Sequence, residues 1–140
     1  MAGRKVFADT SALYAFVDKR DAHHVAASQL VGEILRSGRL LVTSDYVIAE
    51  AVNLATARGG NQVAQRVLDL VEQSAGLQIE WIGPTRFADA KAFFRKHADH
   101  GYSFTDCTSF VLMRELRLHE AITTDRHFVE AGLRVLWADD

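Results

Sequence analysis

The hydrophobic pattern of the chain alternates between short apolar runs and longer segments in which apolar residues recur every three or four positions. The short runs predict strands, and the wider spacing predicts the apolar face of a helix. Strands that alternate with helices are typical of a mostly parallel sheet covered by helices on both faces, an α/β fold in three layers. The predicted strands are Arg4–Ala8, Leu40–Thr43, Leu77–Ile82, Glu120–Thr124 and Leu133–Trp137.

Glycines, capping residues and the single proline predict where the helices begin and end. The first predicted helix, Thr10–Val17, follows the first strand directly. The second helix is capped by Asp21 and ends at Gly38, and the third is capped by Ser44 and stops at Gly59-Gly60. The fourth is capped by Asn61 and ends at Gly76, and the fifth holds Pro84 in its first turn and ends near Gly101. The sixth opens at Ser103 and runs to about Leu116, and a short helix follows Asp125.

Polarity separates the strands into two kinds. In the third strand, Leu77 and Ile79 alternate with Gln78 and Glu80, and the fifth strand has the same half-polar character. The first two strands are nearly continuous apolar runs. Half-polar strands suit the edges of a sheet and apolar ones its interior. We therefore expect the third and fifth strands at the edges.

Four carboxylates stand at comparable positions in this framework. Asp9 ends the first strand and Asp125 follows the late apolar run, while Glu50 lies in the helix after the second strand and Asp106 opens the helix before the fourth. Ligands of parallel sheets bind beyond the carboxyl ends of the strands. The topology can therefore gather all four side chains at one rim.

Each carboxylate also has a purely structural interpretation. Asp9 and Asp125 can cap the helices that follow them, and Asp106 can form a capping box with Ser103. Glu50 can be a solvated residue on an exposed helix face. Each signal is weak by itself, and their conjunction on one rim is much stronger.

A cluster of this kind points to a metal ion. Two carboxylates about 4 Å apart repel by roughly 4 kcal/mol at an effective dielectric constant near 20. A divalent cation reverses that cost, and oxygen ligands favour Mg²⁺ or Mn²⁺ over zinc. The predicted chemistry is metal-assisted hydrolysis of a phosphate ester.

The bulk composition restricts the class of protein. A chain of 140 residues suits one ordinary domain, spanning 1–140, and its net charge of -2 argues against a basic protein that coats nucleic acid non-specifically. The single cysteine, Cys107, allows no internal disulfide, and we expect it in the core. The short basic start is not followed by an apolar run, so we expect no secretory signal. No apolar stretch is long enough to cross a bilayer. We therefore expect a cytoplasmic protein without a membrane segment, with a frayed tail at Asp139-Asp140.

The acidic residues and their neighbours, in this order, resemble a PIN-domain nuclease, and most of all the VapC-type toxins of toxin–antitoxin pairs. The matching motifs extend over nearly the whole chain. Cys107 departs from the alanine that usually follows the third acid of the family. The motifs are Val6-Phe7-Ala8-Asp9-Thr10-Ser11, Asp21-Ala22-His23-His24, Glu50, Ser103-Phe104-Thr105-Asp106-Cys107 and Thr123-Thr124-Asp125-Arg126-His127-Phe128.

The resemblance implies a three-layer α/β/α sandwich with a five-stranded sheet in the order 3-2-1-4-5. It implies a Mg²⁺- or Mn²⁺-dependent endoribonuclease that forms homodimers, is blocked by a cognate VapB-like antitoxin, and cuts RNA such as tRNA, rRNA or mRNA. In that family the four acids are the catalytic metal ligands. Here they are Asp9, Glu50, Asp106 and Asp125.

Supporting and substrate-binding roles are predicted for a further set of residues. The hydroxyl of Ser11 can contact Asp9 or water on the metal, and that of Thr124 is a second candidate for the same role. Arg126, Lys19 and Arg20 are candidate RNA contacts. An ordinary surface position explains Arg126 equally well, and a solvated loop is the safer interpretation of Lys19 and Arg20. The six histidines show no compact pairing with cysteine, so we expect structural roles for them.

Other functions remain open beside the toxin. A PIN nuclease could serve RNA maturation or decay, although the chain carries no appended RNA-binding module. A PIN fold could also bind RNA or a partner without cutting, which the presence of all four acids argues against. A receiver-like signalling domain would need a second acid beside Asp9, where Thr10 and Ser11 stand instead.

Overall fold

Five parallel strands run through the centre of the molecule in the order β3-β2-β1-β4-β5. The computed structural model describes residues 4–137, so the predicted tail Asp139-Asp140 lies outside the described residues. The strands are β1 (Lys5–Ala8), β2 (Leu40–Ser44), β3 (Leu77–Glu80), β4 (Glu120–Ile122) and β5 (Arg134–Val135). The helices are α1 (Thr10–Val17), α2 (His24–Arg36), α3 (Asp45–Gly59), α4 (Asn61–Gln73), α5 (Gly83–Lys96), α6 (Phe104–Glu115) and α7 (His127–Glu130), with a short 3₁₀ turn at Ala98–His100.

The order of the strands confirms the predicted α/β/α architecture and the assignment of the sheet edges. Strand β1 lies in the middle, paired with β2 and β4, and its Val6 and Phe7 are completely buried. The half-polar strands β3 and β5 are the two edges. Because every strand pair is parallel, all five carboxyl ends lie at the same edge of the sheet.

The last three strands are shorter than predicted, and after β3 and β4 polar contacts take the chain out of the sheet. After β3, the amide of Ile82 donates to Asp45 Oδ1 at 2.8 Å instead of to a strand. After β4, the side chains of Thr123 and Asp125 begin the hydrogen bonds of the carboxyl edge. Strand β5 is reduced to Arg134–Val135, although the amide of Leu136 still donates to Ala121 O at 3.0 Å.

Two predicted helix caps are wrong and two are confirmed. Helix α4 is capped by Gly60, whose φ of 84° suits glycine, while Asn61 is already helical and its Oδ1 accepts from Gln65. Helix α2 begins only at His24, and Asp21 instead stabilises the preceding turn by accepting from the His23 amide at 3.0 Å. Ser44 caps α3, and Ser103 opens α6 with a complete capping box.

Four helix termini surround the carboxyl edge of the sheet. Helices α1, α3 and α7 begin just after β1, β2 and β4, and α6 precedes β4, so its start lies near that strand's carboxyl end. This arrangement places the first or second turn of each of these helices over one rim. Among residues 4–137, no helix combines the length and the apolar character that crossing a bilayer requires.

Candidate active site

Asp9 is buried at the end of β1, with only 5% of its surface exposed. Its side chain does not cap α1, as the structural interpretation of the sequence would require. Its Oδ2 instead accepts a hydrogen bond of 2.7 Å from Thr123 Oγ1, at the carboxyl end of the neighbouring strand. The carboxylate is therefore oriented across the rim rather than along its own helix.

The hydroxyl of Thr123 connects several groups at this rim. It donates to Asp9, and it accepts from the Asp125 amide at 3.0 Å and from Ser11 Oγ at 3.4 Å. Ser11 Oγ in turn accepts from the amide of Thr124 at 3.0 Å. Ser11 therefore reaches Asp9 through Thr123, and the hydroxyl that contacts Asp9 is that of Thr123 rather than that of Thr124.

Glu50 approaches the same rim from α3. Its side chain is exposed, and its Oε1 accepts a hydrogen bond of 2.9 Å from Thr10 Oγ1. Sequence reasoning did not assign a role to Thr10, which joins Glu50 to the residue next to Asp9. Glu50, Asp9 and Asp125 line one open pocket of about 310 Å³. The other residues that line it are Thr10, Ser11, Tyr14, Asp21, His23, Leu54, Arg58 and Thr124.

Asp106 joins the cluster through Asp125 and His127. One ligand atom from each of these three residues lies within 4.8 Å of the other two. His127 Nδ1 is 3.1 Å from Asp106 Oδ2 and 3.4 Å from Asp125 Oδ1, so the imidazole bridges the two carboxylates. Sequence reasoning gave His127 only a structural role, although its position two residues after Asp125 was a visible signal.

The structural roles of Asp106 and Asp125 exist beside this clustering. Asp106 completes the capping box with Ser103, accepting from the Ser103 amide at 3.2 Å. Asp125 Oδ1 accepts from the amide of His127 at 2.9 Å. Each carboxylate therefore has one oxygen held by local backbone. Capping fixes the orientation of these two groups and does not exclude a second role.

Burial and mutual repulsion make the carboxylates hard to ionise together. Burial raises the pKa of Asp9 to about 7, and the charges of Asp106 and Asp125 add to that rise. Burial, then the charge of Asp125, also raises the pKa of Asp106. Hydrogen bonding to Asp106 raises the pKa of His127. Burial is the main cause for the two aspartates, and the neighbouring carboxylates add to the rise of all three pKa values.

The donor set of this rim fits a hard divalent cation. Among residues 4–137, no lysine or arginine forms a salt bridge with Asp9, Glu50, Asp106 or Asp125. Carboxylate oxygens are the ligands that Mg²⁺ and Mn²⁺ prefer. Asp106 and Asp125, whose ligand atoms cluster with that of His127, can therefore hold such an ion, and its charge would offset the repulsion between them.

The remaining predicted residues lie around the rim. Lys19, Arg20 and Arg126 are exposed and lie outside the described lining of the pocket. His23 does line it, and its ring packs edge-on against Trp137 at 5.3 Å between centroids. Cys107 is buried in α6 as expected, and burial raises the pKa of its thiol to about 11.

The comparison with protein families places the chain in a known class of protein. Residues 6–133 match the model of the PIN domain. The chain therefore belongs to the PIN-domain family.

Individual relatives narrow the class further. The chain is 28% identical over 127 residues to the 23S rRNA-specific endonuclease VapC20 of Mycobacterium tuberculosis, covering 91% of this chain and 94% of that protein. It is 31% identical over 121 residues to the ribonuclease VapC26 of the same organism, covering 86% and 87%. The chain is accordingly a VapC-type PIN nuclease.

Solved structures agree with these relationships. The crystal structure of M. tuberculosis VapC20, described as a sarcin–ricin loop cleaving toxin, superposes with a TM-score of 0.82 at 28% identity and covers 91% of this chain and 95% of that one. The structure of FitAcB from Neisseria gonorrhoeae superposes with a TM-score of 0.61 at 17% identity, covering 93% and 95%. The second likeness supports the fold alone.

Proposed function

We propose that this protein is the toxin of a toxin–antitoxin pair and cuts RNA with the help of Mg²⁺ or Mn²⁺. The observation that carries the proposal is the convergence of four carboxylates at one rim with no lysine or arginine paired to them among residues 4–137. The relatives named as ribonucleases supply the substrate class. Asp9, Glu50, Asp106 and Asp125 would hold the ion.

The chemistry supplied by a bound divalent ion is activation of water and neutralisation of charge on the phosphoryl group. The side chains of this chain orient the reaction around it. Thr123 holds Asp9 in place, and His127 holds Asp106 and Asp125 at their spacing. Glu50 stands at the open lip of the pocket, fixed by Thr10, where it can orient the attacking water. Attack of water on phosphorus, in line with the 3′ oxygen, would break the P–O3′ bond and yield a 5′-phosphate and, once the leaving oxygen takes a proton, a 3′-hydroxyl.

The proposed substrate is a structured RNA, and the first candidate is the sarcin–ricin loop of 23S rRNA. That loop is the target stated for VapC20, which resembles this chain over most of its length. The proposed partners are a VapB-like antitoxin that covers the pocket and a second copy of the chain in a homodimer. A housekeeping PIN nuclease acting in RNA processing is the alternative function at the same site.

The decisive experiment incubates the purified protein with ribosomal RNA and with a synthetic sarcin–ricin hairpin. Cutting should require added Mg²⁺ or Mn²⁺, stop in excess chelator, and resume when the ion is restored. Sequencing of the products should find 5′-phosphate ends. Undiminished cutting in the chelator, or no cutting of any RNA with either ion, would refute the proposal. Inhibition by the product of a small adjacent gene would separate the toxin from the housekeeping nuclease.

A further inference from the structure

Arg58 is a basic residue that lines the acidic pocket, and the proposed metal chemistry gives it no role. Glu50, Leu54 and Arg58 follow each other at intervals of four residues along α3, and all three line the pocket. Such spacing places them on one face of the helix. At 1.5 Å per residue, Arg58 begins about 12 Å along the helix axis from Glu50. Its cation therefore stands beside the acids rather than among them.

Arg58 is supported by a rigid pair of buried side chains. Its guanidinium carbon lies 5.6 Å from the centre of the Tyr14 ring. Tyr14 and Asp18 are each only 4% exposed, and the Tyr14 hydroxyl donates to Asp18 Oδ2 at 2.5 Å. An arginine that stacks on an aromatic ring keeps its N–H donors available at the edge of its plane. Within residues 4–137, the guanidinium of Arg58 makes no hydrogen bond or salt bridge.

Two further arginines surround the same support. The backbone amide of Arg20 donates to Asp18 Oδ1 at 3.0 Å, and its Nε lies 3.9 Å from that oxygen. The Tyr14 hydrogen bond is the main cause of a lowered Asp18 pKa, and the charges of Arg20 and Arg66 lower it further. Arg20 therefore contacts Asp18 directly, and Arg66 lies on α4, which packs against α1. Arg20, Arg58 and Arg66, all exposed, are named here the arginine rim.

The charge of the molecule makes a local basic surface necessary for an RNA substrate. The chain carries a net charge of -2, and the acids Asp9, Glu50, Asp106 and Asp125 lie at the proposed site. Phosphates approaching that pocket are repelled unless cations stand nearby, because binding of nucleic acid depends on phosphate neutralisation. Arginine suits this task, since its planar fork binds two phosphate oxygens at once.

We propose that the arginine rim, with Arg58 at its centre, binds backbone phosphates of the RNA next to the one that is cut. The rim would hold the strand over Leu54 and lead it to the lip where Glu50 stands. The inference rests on the proposed function, because it assigns a contact to the same substrate. Arg58 becomes a substrate-positioning residue with no part in holding the metal.

The experiment measures binding without cutting. A labelled hairpin with the sarcin–ricin loop sequence is titrated with wild type, Arg58→Gln, Arg58→Lys and Arg95→Gln, in chelator and at several salt concentrations. Arg95 is the matched control, an exposed arginine in the last turn of α5 outside the described lining of the pocket. Arg58→Gln should weaken binding about tenfold and reduce the slope of log affinity against log salt by about 0.7 to 0.9. Arg58→Lys should recover part of both, and Arg95→Gln should resemble wild type.

Cutting kinetics provide the second measurement. Arg58→Gln should raise KM far more than it lowers kcat, because the contact holds the strand and takes no part in the bond change. The same result, in smaller measure, is expected for Arg20→Gln and Arg66→Gln. Circular dichroism and urea unfolding verify that each exposed substitution leaves the fold intact.

The outcomes separate the inference from the proposed function. A wild type that cuts RNA while Arg58→Gln and Arg95→Gln bind equally well would overturn the rim and leave the nuclease standing. A rim variant that binds RNA normally but no longer binds a partner protein would also overturn the inference and assign the surface to that protein. A wild type that neither binds nor, with Mg²⁺ or Mn²⁺, cuts the hairpin or bulk ribosomal RNA would refute both.

Discussion

Buried carboxylates have opposite surroundings at the amino ends and at the carboxyl ends of the parallel strands, called here the amino edge and the carboxyl edge of the sheet. At the amino edge, Glu120 starts β4 and is 7% exposed, and it forms salt bridges with Arg39 and, at 3.7 Å, with Arg134. At the carboxyl edge, Asp9 ends β1 and is 5% exposed, and its side chain accepts from the Thr123 hydroxyl. The two groups are equally hidden, but only Glu120 is neutralised by cations of its own chain.

The difference separates a structural charge from a functional one. A buried carboxylate is tolerated when partners offset its desolvation, as the arginines do for Glu120. The carboxyl edge instead keeps several carboxylates together and leaves Asp9 with a raised pKa of about 7. Such an arrangement costs stability in the isolated chain, which is typical of sites that wait for a ligand. The comparison therefore predicts that loss of a charge reduces cutting at the carboxyl edge and reduces stability at the amino edge.

The largest expected effect is loss of cutting when the carboxyl edge loses one charge. Asp9→Asn keeps the shape of the side chain and can still accept from Thr123, but it no longer holds a cation. We expect cutting to fall at least about 10³-fold, which corresponds to about 4 kcal/mol of transition-state stabilisation. Initial rates on the RNA hairpin measure the loss, and circular dichroism verifies the fold.

Asp89→Asn is the matched control for this substitution. Asp89 is an exposed aspartate on α5, distant in sequence from the rim, and its change should leave the rate within twofold of wild type. An Asp9→Asn protein that cuts at the wild-type rate would remove Asp9 from the metal site.

The reverse effect is expected at the amino edge. Glu120→Gln removes the charge that pairs with the partly buried Arg39, and breaking such a pair typically costs about 3 kcal/mol. Urea unfolding should record this loss of stability, while the rate of cutting per folded molecule stays unchanged. If Glu120→Gln lost cutting in its fully folded form, the division between a structural and a functional edge would be wrong.

A smaller effect should appear in the pH dependence of stability. The pKa of Asp9 is about 7 in the folded protein and 3.8 ordinarily, so folding favours its protonated form. The unfolding free energy of the metal-free wild type should therefore fall as the pH rises from about 5 to about 7, by about 2 kcal/mol. The amide of Asp9→Asn does not titrate, so this variant should be more stable than wild type at neutral pH.

Urea unfolding in chelator at a series of pH values measures this difference. Addition of Mn²⁺ at pH 7 should restore the stability of wild type but not that of Asp9→Asn, because the ion binds only the folded site. Parallel pH profiles for the two proteins would show that Asp9 ionises normally.

The fold and the approach of the four acids to one rim could be predicted because they follow from the order of strands and helices along the chain. Once the strands are parallel, Asp9 and Asp125 must reach the same edge, whatever their side-chain angles. The supporting residues depend on finer geometry. Thr123 and Thr124 are identical in chemistry, and adjacent strand positions point to opposite faces, so one residue of uncertainty in the end of β4 exchanges their roles.

Arg58 and Thr10 escaped prediction for a related reason. The interval of eight residues between Glu50 and Arg58 was visible as helical spacing, but its meaning depends on which face of α3 borders the pocket. The hydrogen bond from Thr10 to Glu50 joins residues from two helices, and no local pattern records it. Contacts between elements are therefore where the sequence was least informative.

The smallest expected effect concerns His127, whose imidazole bridges two carboxylates of the carboxyl edge. Its Nδ1 lies between Asp106 and Asp125, and its exposed fraction of 32% leaves it accessible to solvent. Loss of a residue that orients metal ligands typically weakens metal binding by at least tenfold. We expect His127→Ala to lower Mn²⁺ affinity about tenfold, measured from the paramagnetic resonance signal of the free ion, and His127→Gln to recover part of it.

His119, an exposed histidine at the amino edge, provides the control, and His119→Ala should bind Mn²⁺ as wild type does. Equal affinities for His127→Ala and His119→Ala would mean that the imidazole merely packs beside Tyr102 and that the carboxylates hold their spacing without it.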